Sequence, residues 1–195
     1  MRRALANFAA QDVGPVDDLG DVPCEGDALE AAQEAYAAAA AAALAAGSLV
    51  IGLGGGHEIA WASYLALAQR LDQEGSRDAV GVVNVDAHFD LRGDERASSG
   101  TPFRQILEHG RAHGREVGYC CLGISRWSNT AALFERARAL GVDPALVDRL
   151  IGMVAGSGRL AIADVAELAP RFDPDGRTAR IAARYVARMA EAARR

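Results

Sequence analysis

The sequence predicts an α/β protein of three layers, with helices on both faces of a mainly parallel sheet that is itself incomplete, as a single domain over residues 1–195. Three observations predict it. Apolar runs of strand length, such as SLVIGL at 48–53 and VGVVNV at 80–85, lack polar alternation, which is how strands covered on both faces read. Segments of helical length separate them, so neighbouring strands must run parallel. At 195 residues, half of them hydrophobic and 24% charged, the chain supplies one real core and not two.

Asp27 with Glu30 three residues later reads as a capping box, opening an alanine-rich helix that runs to about Ala46 and stops at Gly47. Ser48 to Leu53 then reads as a buried strand, and Gly54 to Gly56 as a tight turn. A helix is expected from His57 to about Leu71 and a strand from Val80 to Val85. Further along come a short helix at Pro102–His109, a strand at Val117–Ile124, and helices at Ser128–Leu140 and Pro144–Ala155. Leu160–Ala163 reads as the last strand and Thr178–Ala193 as the last helix. The two helices between Ser128 and Ala155 are separated only by GVDP, so the strand that alternation requires there is expected to be absent.

Composition excludes several classes of function. The net charge is −5 and the sequence pI about 5.4, which leaves no general basic surface for nucleic acid or anionic lipid. From Ala35 to Gly56 no residue is charged, a length that would span a bilayer. That stretch is mostly alanine, is broken by Gly47 and Ser48, and ends in three glycines, so it reads as a helix followed by a strand. With no basic, leucine-rich segment at Met1, the expectation is a cytoplasmic protein with no membrane partner. Cys24, Cys120 and Cys121 show no zinc spacing and read as free thiols in a reducing compartment.

The chemistry is concentrated where the second strand ends. Asp86, His88 and Asp90 alternate in NVDAHFD, three side chains of the metal-binding type. Fully extended, residues 86 and 90 would stand about 13 Å apart, at roughly 3.3 Å per residue, far beyond two ligand bonds of about 2 Å each. The segment must therefore curl if it serves a metal. Imidazole and carboxylates without sulfur favour manganese, iron or zinc. His57, in GGGHE just past the preceding strand, is expected at the same rim as a fourth ligand, because functional groups in parallel sheets gather at the carboxyl ends of the strands. Read alone, the cluster would be a solvated acidic loop with a chance histidine, and His57 an ordinary helix-start residue; the combination is the more specific signal.

Five ordered blocks carry a resemblance: GLGGGHEIAW (52–61), NVDAHFDLR (84–92), SSGTPFRQ (98–105), LGISRWSNT (122–130) and ADVAELAPRFDPDGRTARIAAR (163–184). They resemble the arginase/agmatinase (ureohydrolase) superfamily and, within it, the formimidoylglutamase branch, to which SSGTPF points. The resemblance implies hydrolysis of N-formimidoyl-L-glutamate to L-glutamate and formamide in histidine degradation, by water activated between two manganese ions. It implies His57, Asp86, His88 and Asp90 as metal ligands, and Glu167 as the carboxylate beside the substrate's cationic nitrogen. Arg104 and Arg126 are candidate partners for the substrate's carboxylates, since a guanidinium binds a carboxylate bidentately. The rival activities are agmatinase or another guanidino or amidino hydrolase; the rival from a different class is a non-catalytic remnant that binds a ligand or a partner only.

The pattern also breaks. The family's D-x-D strand, which carries further metal ligands, has no counterpart, and its place falls between the helix ending at Leu140 and Pro144. The opening, MRRALANFAAQ, resembles a segment that follows a first strand in the family. Asp173 and Asp175 match the family's closing segment and read as a turn and helix cap rather than as replacement ligands. The expected consequences are one manganese ion or none, impaired activity, and exposed apolar sheet edges that, with the family's habit, imply a homo-oligomer.

Overall fold

Branched residues and alternating helices do produce parallel pairing, but in two separate ladders. The computed structural model of the protein describes residues 2–6, 16–124, 128–141, 143–145, 153–154, 157–168 and 176–192. Within these, α1 is Arg2–Leu5, α2 Leu29–Ala45, β1 Val50–Leu53, α3 Ile59–Gln73, β2 Val80–Val85 and α4 Pro102–Ala112. β3 follows at Val117–Leu122, α5 at Ala131–Leu140, β4 at Asp143–Ala145, β5 at Ile162–Val165 and α6 at Arg177–Ala192. β1 pairs with β5, and β2, β3 and β4 pair in that order, every pair parallel. The α/β class is as predicted, and the interruption of the sheet falls between β1–β5 and β2–β3–β4.

Two apolar layers hold this together. Ala60, Tyr64, Phe89, Leu91, Phe103, Ile106, Leu107, Tyr119 and Cys121 fill the space between β2–β3 and helices α3 and α4. Ala37, Ala40, Ala41 and Leu44 of α2 meet Ala66 of α3, with Val50 and Ile162 packed against them. Alanine at the crossing brings the two helix backbones close, which is what the low-complexity run accomplishes here. Gly52 belongs to the same packing, since a Cβ at that position would overlap the Tyr36 hydroxyl.

Several expected features are corrected. The capping box does not form: α2 has Ala28 at its N-cap without a side-chain bond, while Asp27 and Glu30 both face Arg96, at 3.8 and 3.9 Å. Helix α3 begins at Ile59 rather than at His57, which stays in the turn. Pro144 does not open a helix, because Asp143–Ala145 pairs with Cys120–Leu122 of β3, so the strand expected to be absent exists as three residues. Residues 146–152, 155–156 and 169–175, and with them Asp173 and Asp175, lie outside the described residues. β2 is not covered on both faces either: Val80 and Asn84 are buried, whereas Val83 is 41% and Val85 50% exposed. Helices α3 and α4 cover one face of β2–β3, and among the described residues these valines stay open on the other; the apolar exposure expected at sheet edges is here on a face.

Candidate metal centre

His57, the 86–90 segment and Glu167 all lie just beyond the carboxyl ends of strands, after β1, β2 and β5 respectively. Their convergence has local causes that can be followed residue by residue.

The turn carrying His57 is shaped by crowding rather than by left-handed backbone. Glycine is favoured at 54 because a Cβ would overlap the branched Ile59 side chain, whereas at 56 it would meet only the end of the flexible Glu58 side chain. The turn is tied to β5: the Gly54 amide donates to the Val165 carbonyl at 3.1 Å, and the Glu167 amide to the Gly55 carbonyl at 2.7 Å. The His57 amide in turn donates to Oε1 of Glu167 at 3.0 Å. Glu167 adopts φ +62°, an unusual conformation for a residue with a Cβ, and one that the neighbouring bonds enforce. Phe103 stands edge-on to the His57 ring, with centroids 5.1 Å apart.

The 86–90 segment curls, as metal binding requires. The Asp86 amide still continues the ladder, donating to the Leu122 carbonyl at 2.9 Å. Its own carboxylate then accepts the His88 amide at 2.9 Å, an Asx turn that reverses the chain. Asp90 completes the curl at φ +47°. Side chains from β3 and from the turn just before α5 satisfy the exposed peptide groups. Asn129 donates to the Ala87 carbonyl at 2.8 Å and accepts the Phe89 amide at 3.0 Å. Tyr119 donates its hydroxyl to the Phe89 carbonyl at 3.0 Å and accepts from Asn84 at 3.1 Å. The Cys121 thiol, pushed up to about 11 by burial, stays neutral and points at the His88 carbonyl from 3.4 Å. Phe89 and Leu91, both buried, anchor the segment in the core.

The outcome is a compact group of donors. Nδ1 of His57 lies 3.0 Å from Oδ2 of Asp86 and 2.7 Å from Oδ2 of Asp90. Among the described residues, His57, Asp86 and Asp90 are the set whose donor atoms all lie within 4.8 Å of one another. Burial works against charge on His57, but the hydrogen bonds of Asp86 and then Asp90 outweigh it and raise its pKa to about 10. Burial likewise opposes charge on Asp86, and the His57 contact overcomes it, holding the carboxyl below its ordinary value. One nitrogen and two carboxylates on a single point are the donor set of a hard or borderline divalent cation, so the residues fit manganese.

The remaining site candidates are placed differently. His88 is exposed, its Nδ1 3.2 Å from Oδ1 of Asp86, outside the three-residue group. Arg104 is spent on the loop after the metal segment: it donates to the Arg92 carbonyl at 2.6 Å, to the Asp94 carbonyl at 3.0 Å and to Glu108 at 2.6 Å. Its partners here are the carbonyls of that loop and a glutamate of α4, and its neighbour Phe103 is the residue against the His57 ring. Arg126 lies outside the described residues. Sequence reasoning overlooked Asn129, Tyr119 and Phe103. Their signals were faint: an asparagine just before the Thr130 that caps α5, and aromatics among apolar residues.

Comparison with known proteins agrees with the geometry. The profile described as the arginase family matches residues 1–143 and 136–191, two stretches that meet where the D-x-D segment is absent. A formimidoylglutamase of Ralstonia nicotianae is 41% identical over 247 residues, covering 98% of this chain and 76% of that protein. One from Rhodococcus opacus is 38% identical over 245 residues, covering 97% and 76%. These alignments are longer than the 195-residue chain, so the relatives carry residues without a counterpart here. Among solved structures, the formimidoylglutamase of Bacillus subtilis superposes with a TM-score of 0.78 at 18% identity, over 99% of this chain and 79% of that one. Trypanosoma cruzi formiminoglutamase with Mn2+ does so with 0.74 at 20%, over 90% and 74%. At these identities the superpositions speak for the fold.

Proposed function

The chain belongs to the arginase family, and from that premise we propose that it is a metal-dependent hydrolase of the formimidoylglutamase type, cleaving N-formimidoyl-L-glutamate to L-glutamate and formamide. The observation that carries the reading is the meeting of His57, Asp86 and Asp90 on one point, with Glu167 hydrogen-bonded to the same turn. His57, Asp86 and Asp90 would hold manganese, which when bound supplies a positive centre that lowers the pKa of water towards neutrality. Glu167 offers an anion to the substrate's amidinium, a charge-assisted pairing, and its tether to the His57 amide keeps that carboxylate at a fixed place beside the metal group. Arg104 and Arg126 are the candidates for the substrate's carboxylates. The setting is cytoplasmic and the assembly a homo-oligomer; no helix among the described residues is long and apolar enough to cross a membrane.

The activity is reduced or absent in this chain. Among the described residues three converging donors support one ion rather than a pair, and the two family matches adjoin where the additional carboxylates belong. The same observation favours, as second reading, a remnant that binds ligand without turnover. Metal analysis of the purified chain after loading with Mn2+, together with formamide release from formimidoylglutamate, decides between them. One manganese per chain with slow release is the expected result; no release at full metal occupancy favours the remnant. Two ions with vigorous turnover would overturn the impairment, and no manganese at millimolar concentration would overturn the metal reading. Agmatine serves as the control substrate, and its preferential turnover would move the chain to the rival guanidino branch.

A further inference from the structure

A three-residue curl between Asp86 and Asp90 has little of its own to hold it. Its internal bonds are those of His88, amide and ring, to the Asp86 carboxylate, which leave the Ala87 and Phe89 peptide groups to find partners elsewhere. Backbone groups in such a position need donors and acceptors from elsewhere. Here they come from side chains, and chiefly from one. The Asn129 amide spans the peptides on either side of His88, donating to the Ala87 carbonyl at 2.8 Å and accepting from the Phe89 amide at 3.0 Å. Only this orientation of the amide satisfies both bonds, because the carbonyl needs a donor and the N–H an acceptor. Tyr119 secures the next peptide, on the other side of Phe89, through the Phe89 carbonyl.

We propose that Asn129, assisted by Tyr119, is a positioning residue that holds the carboxylates of Asp86 and Asp90 at metal-binding separation. The inference rests on the proposed metal centre, and it adds residues that touch neither metal nor substrate. The leverage is geometric. The two carboxylates meet the same His57 nitrogen at 3.0 and 2.7 Å, so a small opening of the curl separates them from it. Residues that orient metal ligands typically change metal affinity about 10- to 100-fold when replaced. Asn129 is fixed in its turn by α5, whose first residues are capped by the Thr130 hydroxyl accepting from the Leu133 amide at 3.3 Å.

The test compares the full chain with Asn129→Ala, Tyr119→Phe and, as control, Leu44→Val, a change in the separate core cluster between α2 and α3. Mn2+ affinity is read by titration, the folded state by melting, and the loop by amide hydrogen exchange over residues 87–90. Asn129→Ala should weaken Mn2+ binding at least tenfold and speed exchange at 87–90, Tyr119→Phe should do the same to a smaller degree, and Leu44→Val should lower Tm while leaving Mn2+ affinity within twofold. Unchanged affinity in folded Asn129→Ala would overturn the proposal. If the parent chain binds no Mn2+, the metal reading is what fails; the clamp is then decided by exchange alone, and unchanged exchange at 87–90 in Asn129→Ala would overturn it.

Discussion

His57 presents one ring nitrogen to two carboxylates, and in the metal-free protein a proton answers both. Its pKa, raised to about 10, lies above the ordinary value of 6.5. The sign follows from linkage. The folded state binds this proton more tightly than the unfolded one, so the contribution is complete below pH 6.5 and is lost as pH rises through about 10. A metal ion entering at Nδ1 must displace that proton. Calorimetry of Mn2+ binding at pH 8 in buffers of different ionisation enthalpy should therefore read about one proton released per ion, with affinity rising with pH. Release of no proton would mean that the ion enters elsewhere. Much of this residue-scale chemistry was legible in the sequence, because His57, Asp86 and Asp90 are chemically distinctive and follow strand ends. His88 belongs to the same motif yet stands outside the group, since its amide and its ring are both drawn to the Asp86 carboxylate that makes the turn.

At the scale of elements, packing distance decides what pattern cannot. The alanine run of α2 looks featureless, but it places Tyr36 over β1 so closely that only glycine fits at position 52. Gly52→Ala should destabilise the fold by about 1–3 kcal/mol, the usual cost of overpacking, seen as a lower Tm. Adding Tyr36→Phe removes the overlapping hydroxyl and should recover part of that loss; strictly additive losses in the two variants would show that the crowding lies elsewhere. The elements themselves were readable to within a few residues because their periodicities differ. The failures have physical causes. Pro144 was read as a helix start from its fixed φ, but the residues around it gain ladder bonds from β3. Asp27 and Glu30 had the spacing of a cap, but Arg96, distant in sequence, attracts both.

The whole molecule combines a well-built half-sheet with an open face. Val83 and Val85 are exposed where a helical layer was expected, on a strand whose opposite side is packed against α3 and α4. Substituting both by threonine should leave stability nearly unchanged, since exposed positions usually contribute within about 0.5 kcal/mol. Melting at several protein concentrations checks this. A larger loss that grows with concentration would mean that a second copy covers the face, as the expected homo-oligomer would require. The two family matches overlap at residues 136–143, between α5 and the start of β4, while the ladders are interrupted between β1–β5 and β2–β3–β4.

By itself the sequence determined the class of fold, the family and the identity of the metal-type donors, because strand patterning, glycine turns and paired carboxylates are written locally. Tertiary structure alone decided which donors meet. His57 and Asp90 are brought within 2.7 Å only by two strands from different ladders and by a curl that Tyr119 holds from β3 and Asn129 from the turn before α5. Such contacts depend on the position of a whole helix or strand rather than on neighbouring residues, and that position is fixed by the packed core.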